Sequence, residues 1–152
     1  MVTQRSMIKP TNKIVLDSQN CHRQTCKIET VATMYAGRLV KKGTNDDDIQ
    51  IVAAATDTII GWLGYEQTTK KHRPATVDTI YLVNAQAAVL SGPGMVLVGT
   101  LAIAGVTCVK GTRLKAAPDG TLSGGVDGTD HIVAIAEESA SSGADVLVRS
   151  LI

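Results

Sequence analysis

The chain has 152 residues, 44% of them apolar, with no Phe, one Trp and a formal net charge of +1. That length fits one domain with a modest core, and the interspersed charges leave no dominant field for nucleic acid or an anionic membrane. No apolar run approaches the roughly 18 residues that span a bilayer, and the N-terminus lacks the apolar centre of a secretory signal. Three cysteines, Cys21, Cys26 and Cys108, are an odd number, which argues against a closed disulfide framework. A reducing, intracellular site of synthesis is therefore expected.

Residues 1–27 are polar and mixed, with Pro10 and little periodicity, and read as an extended N-terminal arm holding a short strand at "KIVLD". Strand-like runs follow at "IETVATMY", "GRLVKK", "DIQIV" and "TIIGWLGY", separated by Gly, Asn and Asp, the usual turn residues. Residues 67–78, "QTTKKHRPATVD", form a polar, basic connection expected to be exposed. Strands resume at "TIYLV", "QAAVL", "GMVLVGTLAIA", "VTCVKG", "HIVAIAEE" and "ADVLVRSLI". "IQIVAAATDTI" has the alanines for a helical turn, but its Ile and Val alternate with period two. Short strands rich in Val and Ile predict an all-β barrel or sandwich, with a single β domain over residues 28–152. The continuous run "MVLVGTLAIA" suggests a strand buried on both faces, at a subunit contact.

Two segments resemble each other. Ala36 to Glu66 and Gly111 to Ser139 each open on Gly with a basic residue near a Leu (Gly37, Arg38, Leu39; Gly111, Arg113, Leu114). Lysine comes next (Lys41 and Lys42; Lys115), then a polar turn ("GTNDDD"; "APDG"), a short strand and a Thr-Asp step (Thr56-Asp57; Thr129-Asp130). Each closes on an apolar strand that ends in acid. Each unit reads as a hairpin with a returning strand, its basic residues on a solvated face. The repeat also removes a phosphate-loop reading of "KGTRLKAAPDGTL". A Walker loop needs GxxxxGK[ST] between strand and helix, whereas Pro118-Asp119-Gly120 is turn chemistry.

Other chemistry is sparse. Cys21, His22 and Cys26 in "CHRQTC" supply three metal-type ligands, with His72 or His131 as a fourth, but structural zinc sites place two ligand pairs at short spacing and the second pair is missing. Free surface or interface thiols are the main alternative. GxSxG is absent, and "TNDDD" does not satisfy the EF-hand loop pattern. Glu137 and Glu138 are adjacent, so a strand would point them to opposite faces. "KKHR", Lys70 to Arg73, offers one short basic cluster that could touch an acidic partner. Neither an enzyme nor a bound cofactor or metal is expected.

The run "AGRLVKKGTNDDDIQIVAAATDTIIGWLG" and the later "VKGTRLKAAPDGTLSG…HIVAIAEESASSGADVLVRSLI" resemble the capsid cement or decoration proteins of tailed viruses with HK97-type shells, over roughly residues 31–152. The resemblance implies an all-β, non-enzymatic virion protein on the capsid exterior, commonly a homotrimer at threefold positions. Its partner would be the major capsid protein, with no direct contact to nucleic acid or membrane. On this reading Arg5, Lys9 and Lys13 of the arm would contact the capsid or a neighbouring subunit and extend a sheet edge. The rival is a lipoyl- or biotinyl-like carrier module built from duplicated hairpins. Lys41-Lys42 and Lys115 lack its Met-Lys or Asp-Lys setting.

Overall fold

The structure, a computed structural model, describes residues 12–18, 20–30 and 32–152. It is all-β, as the short alternating runs predict. In chain order the strands are β1 (Val15–Asp17), β2 (His22–Ile28), β3 (Leu39–Lys42), β4 (Asp48–Ile51), β5 (Ile59–Leu63), β6 (Gln86–Ser91), β7 (Val96–Thr100), β8 (Arg113–Ala116), β9 (Leu122–Gly124), β10 (Ile132–Ala136) and β11 (Asp145–Ser150). Among the described residues the only helical element is one 3-10 turn, Pro118–Gly120.

Two barrels share the chain. β2-β4-β3-β5-β6 close completely, while β1-β7-β11-β10-β8-β9 form a six-stranded sheet. That sheet curls until Leu101, just past β7, makes a parallel bridge to Leu122 on β9. The first barrel closes through the parallel pair Ile28–Ile49, and each partner of the second closure lies 73 residues further on (101 − 28 and 122 − 49). The sequence repeat is therefore larger than its hairpins. β2 to β6 and β7 to β11 are two copies of one five-strand unit.

Hydrogen bonds repeat with the strands. Glu29 N donates to Ile49 O at 3.1 Å and Ala102 N to Leu122 O at 2.9 Å; Gly37 N donates to Leu63 O, and Gly111 N to Ala136 O, both at 2.7 Å. Even the irregularity recurs. Lys41 faces Ile59 and Val40 faces Gly61, which leaves Ile60 as an extra bulged residue. Lys115 faces Ile132 and Leu114 faces Ala134, leaving Val133 in the same role. A bulge bends its strand and strengthens the local twist, which helps a sheet of so few strands curl round.

In both units the strands before and after the crossover lie on opposite sides of β3 or β8. The connecting chain must therefore pass over the outer face of that strand. Lys41 Nζ holds Asp57 Oδ2 at 3.0 Å across it, and Lys115 Nζ holds Asp130 Oδ1 at 3.1 Å. The same carboxylates accept backbone bonds from the strap, Ala53 N (2.7 Å) and Ala54 N (3.0 Å) to Asp57, and Val126 N (2.8 Å) to Asp130. These bonds, followed by the lysine, hold both aspartates below the usual carboxylate range. The repeated lysines are thus half-buried clasps rather than freely solvated side chains.

Side chains alternate about the first barrel wall. Val40, Leu63 and Val89 point inward with Ile28, Met34 and Tyr81. Leu39, Trp62 and Leu90 point outward, yet they are fully buried in one cluster with Leu97, Leu122 and Val148 of the second barrel. Trp62 Nε1 donates to Ser150 Oγ at 3.0 Å across this joint, which satisfies the indole N–H that burial would otherwise strand. β5 and β6 are buried on both faces because the second unit covers them. In "MVLVGTL", by contrast, Met95, Leu97, Gly99 and Leu101 are buried while Val96, Val98 and Thr100 are half-buried, so β7 alternates instead of being buried throughout.

"APDG" lies in the joint too. Asp119 (φ 63°) and Gly120 (φ 67°) are both left-handed, Gly120 N donates to Val52 O at 2.9 Å, and Arg38 Nη1 donates to Asp119 O at 3.1 Å. The corresponding turn of the first unit, residues 43–48, faces solvent at Thr44 to Asp47.

Four expectations of strands and boundaries differ from the structure. Among the described residues of "IETVATMY" only Ile28 lies in a strand. Residues 22–27, placed in the arm by sequence, belong to β2, which pairs with β6 from His22–Ser91 to Lys27–Gln86. Four of its seven side chains are exposed, so no apolar alternation marks it. "TIYLV" is not a strand: Tyr81 is buried while Leu82 and Val83 stand in solvent. "VTCVKG" contributes only the bridge Cys108–Ala140.

Candidate functional surface

The largest departure from the duplication is the connection between β5 and β6. It takes 22 residues (64–85), against eight (137–144) between β10 and β11. Its inner side is anchored in the first barrel. Tyr81 Oη donates to Gly64 O at 2.6 Å and shares a 2.9 Å hydrogen bond with Thr68 Oγ1, which accepts from Ala88 N at 3.0 Å. Burial pushes the Tyr81 phenol up to about 12. The Arg73 guanidinium lies 5.4 Å from the Tyr65 ring centroid, and its Nη2 donates to Thr68 O (2.9 Å) and Glu66 O (3.1 Å). The connection expected to be exposed is therefore fixed from beneath. Its outer side carries Lys70 and Lys71, exposed, beside half-buried His72. Leu82 is 75% exposed and Val83 51%, and the two border a hollow of about 200 Å³ with Lys71, His72 and Arg73. Sequence reading absorbed Leu82 and Val83 into a strand; the only hint otherwise was the polar Asn84 directly after them.

A second concavity, about 470 Å³, runs along the joint between the barrels and is lined by Lys13, Tyr35, Arg38, Val98 and Thr100, among others. Arg38 lies 4.8 Å from the Tyr35 ring centroid, and its Nε is buried without a hydrogen-bond partner among the described residues. Burial lowers its pKa, opposed by the nearby Asp119.

Of the three arm residues proposed to make contacts, Arg5 and Lys9 lie outside the described residues, and Lys13 is exposed at the mouth of this groove. Just after it the chain adds β1 to the edge of its own β7, with Val98 N donating to Ile14 O at 2.7 Å. The Glu66 carboxylate accepts from Ile14 N (2.8 Å) and Val15 N (3.1 Å), and Asn12 Oδ1 accepts from Val77 N (2.9 Å). This segment thus ties the second barrel to the long connection of the first.

The other motifs stay apart. Cys26 is inside the first barrel, whereas Cys21 packs on the second unit's cluster. All three thiols are free, and burial raises each. Among the described residues no group of three or more His, Cys, Asp or Glu is placed to hold a metal. In the acidic turn Asp48 is buried against Lys27 Nζ (3.1 Å) and Asn45 Nδ2 (2.7 Å). Glu137 faces Arg149 (3.4 Å) and Glu138 accepts from Leu147 N (3.1 Å), so the neighbouring acids have separate partners. Lys41 and Lys115 sit on strands in ion pairs, and Lys42 pairs with Asp46 at 3.0 Å.

These features define an all-β protein of two duplicated barrel units whose outward chemistry is a set of surfaces rather than a cleft. No protein-family model matches the chain, and no curated protein does. Among solved structures it shares its fold with the N base of the head fiber gp8.5 of bacteriophage phi29. The TM-score is 0.55 and the identity 19%, over 86% of this chain and 93% of that one.

Proposed function

We propose that the chain is a structural protein of a tailed-phage virion that binds the outer surface of the capsid and reinforces it, as a homotrimer at threefold positions. The observation that carries this reading is the fold shared with a phage head-fiber base across nearly the whole of both chains. It agrees with the capsid-cement resemblance of residues 31–152. Two interlocked barrels suit a mechanical role, because load on either unit is borne by a dry joint around Trp62. The major capsid protein is the partner, and many copies on a symmetric shell let modest single contacts act through avidity. Residues 15–17 are already paired within the chain, so neighbour contacts by the arm fall to the residues before them, including Arg5, Lys9 and Lys13.

The same likeness supports a second reading, the base of a head appendage. It differs from cement in requiring a further component that projects from the bound chain. The test is to sediment purified chain with empty shells of the major capsid protein of the same virus. Saturable co-sedimentation is expected at a fixed ratio of copies to shell. Chain that stays in the supernatant at every shell concentration would overturn the capsid-binding role.

A further inference from the structure

Building on that capsid-binding reading, we propose that the outer side of the β5–β6 connection, residues 69–84, is the face that docks on the shell, and that it recognises an acidic protein surface carrying an apolar contact. The location follows from the duplication. Both units need a link between these strands, and the second makes it in eight residues; closing the barrel does not call for the longer one.

The added chain is charged in one sense. Residues 69–84 hold Lys70, Lys71 and Arg73 against the one carboxylate of Asp78. Lys70, Lys71 and His72 have no ion pair among the described residues. Elsewhere Lys27, Lys41, Lys42, Lys110, Lys115, Arg113 and Arg149 each hold an Asp or Glu within 4 Å. The other cations there without an ion pair among the described residues, Lys13, Arg23 and Arg38, are scattered along the chain and not consecutive. Cations left without internal partners are complementary to an acidic face. Leu82, 75% exposed, and Val83, 51% exposed, stand beside them, and exposed apolar surface rimmed by polar groups marks a protein-interaction site. Because Tyr81, Thr68 and Arg73 fix the connection from beneath, little loop-ordering entropy is lost on binding.

The test uses the full chain and empty shells of the major capsid protein. Lys70→Glu with Lys71→Glu should weaken co-sedimentation at least tenfold, Leu82→Asp should do so separately, and wild-type binding should fall steeply as salt rises. Lys110→Glu, one such charge reversal at an exposed lysine of the second unit, should bind as wild type does, whereas Lys71→Glu alone should already weaken binding. Unchanged melting temperatures would show that the variants are folded. If wild type binds and the folded loop variants bind equally well, this inference fails while the capsid reading stands. It fails also if Lys110→Glu weakens binding as much as the loop variants do. If Leu82→Asp instead dissociates a self-associated chain and leaves shell binding intact, the face belongs to a second copy and the proposal is overturned. Wild type that never binds shells removes the capsid reading and this inference with it.

Discussion

On the outer face of the first barrel stand Leu39, Trp62 and Leu90; at the same places in the second stand Arg113, Ile135 and Arg149. The backbone plan is common to both, so the difference lies in what each face meets. The first face is fully buried beneath the second unit, whereas the arginine side chains of the second are about half exposed (46% and 48%) and pair with Asp127 and Glu137. Inside the walls the contrast reverses. Gln24 and Lys42 are exposed where the second unit has buried Leu97 and Ala116. One unit therefore offers an apolar side, the other an apolar end, and the remaining side and end are polar. Polar outer faces at the two ends stop a stack of repeats from growing, and here they stop it at two.

The largest expected effect breaks the joint. Trp62→Ala should cost about 3–5 kcal/mol, as for other buried large-to-small changes, while Ile135→Ala at the matching, half-buried place should cost about 1 kcal/mol. Chemical denaturation of both variants measures this, and equal losses would mean that the two outer faces are not distinct. Next comes alkali. The Tyr81 phenol is held at about 12 against 10 when unfolded, so its contribution is complete below pH 10 and is lost as pH rises through 12. That loss amounts to at most about 3 kcal/mol. It belongs to the first barrel, because Ala140 occupies the matching place in the second, where it bonds with Cys108 as Tyr81 does with Met34. Tyr81→Phe should flatten the stability profile over that pH range. The smallest effect separates two glycines of one conformation. Gly37 (φ +83°) and Gly111 (φ +92°) both occupy the left-handed region, but a Cβ on Gly37 would lie 2.3 Å from Val98 O across the joint, and one on Gly111 would meet nothing within 4 Å. Gly111→Ala should cost about 1–2 kcal/mol from backbone strain alone, and Gly37→Ala more; thermal melts that rank them the other way would place the joint elsewhere.

Sequence pattern carried the all-β class, most strands and the hairpins of the repeat, because Gly37 and Gly111, Lys41 and Lys115, and Asp57 and Asp130 serve the same backbone task in both units. It did not carry the rest of the repeat. β2 and β7 match residue for residue in register, yet "HRQTCKI" is exposed over its first half while "VLVGT" lies between β1 and β11, and side-chain pattern records surroundings rather than topology. The basic cluster "KKHR" was visible as a feature, but its link to Leu82 and Val83 depended on Tyr81 turning inward over the barrel, which an alternating "TIYLV" conceals. Lys41 and Lys115 were legible as a repeat and illegible as clasps, since their aspartates lie across a crossover that only the strand order reveals.

The proposed capsid role can be seen directly in a density map of the intact particle of the virus that encodes this chain. On the proposed function, two-barrel density is expected outside the major shell, grouped in threes at threefold positions, with residues 69–84 turned toward acidic side chains of the shell. Particles that lack the chain, or that hold it inside the shell, would contradict it.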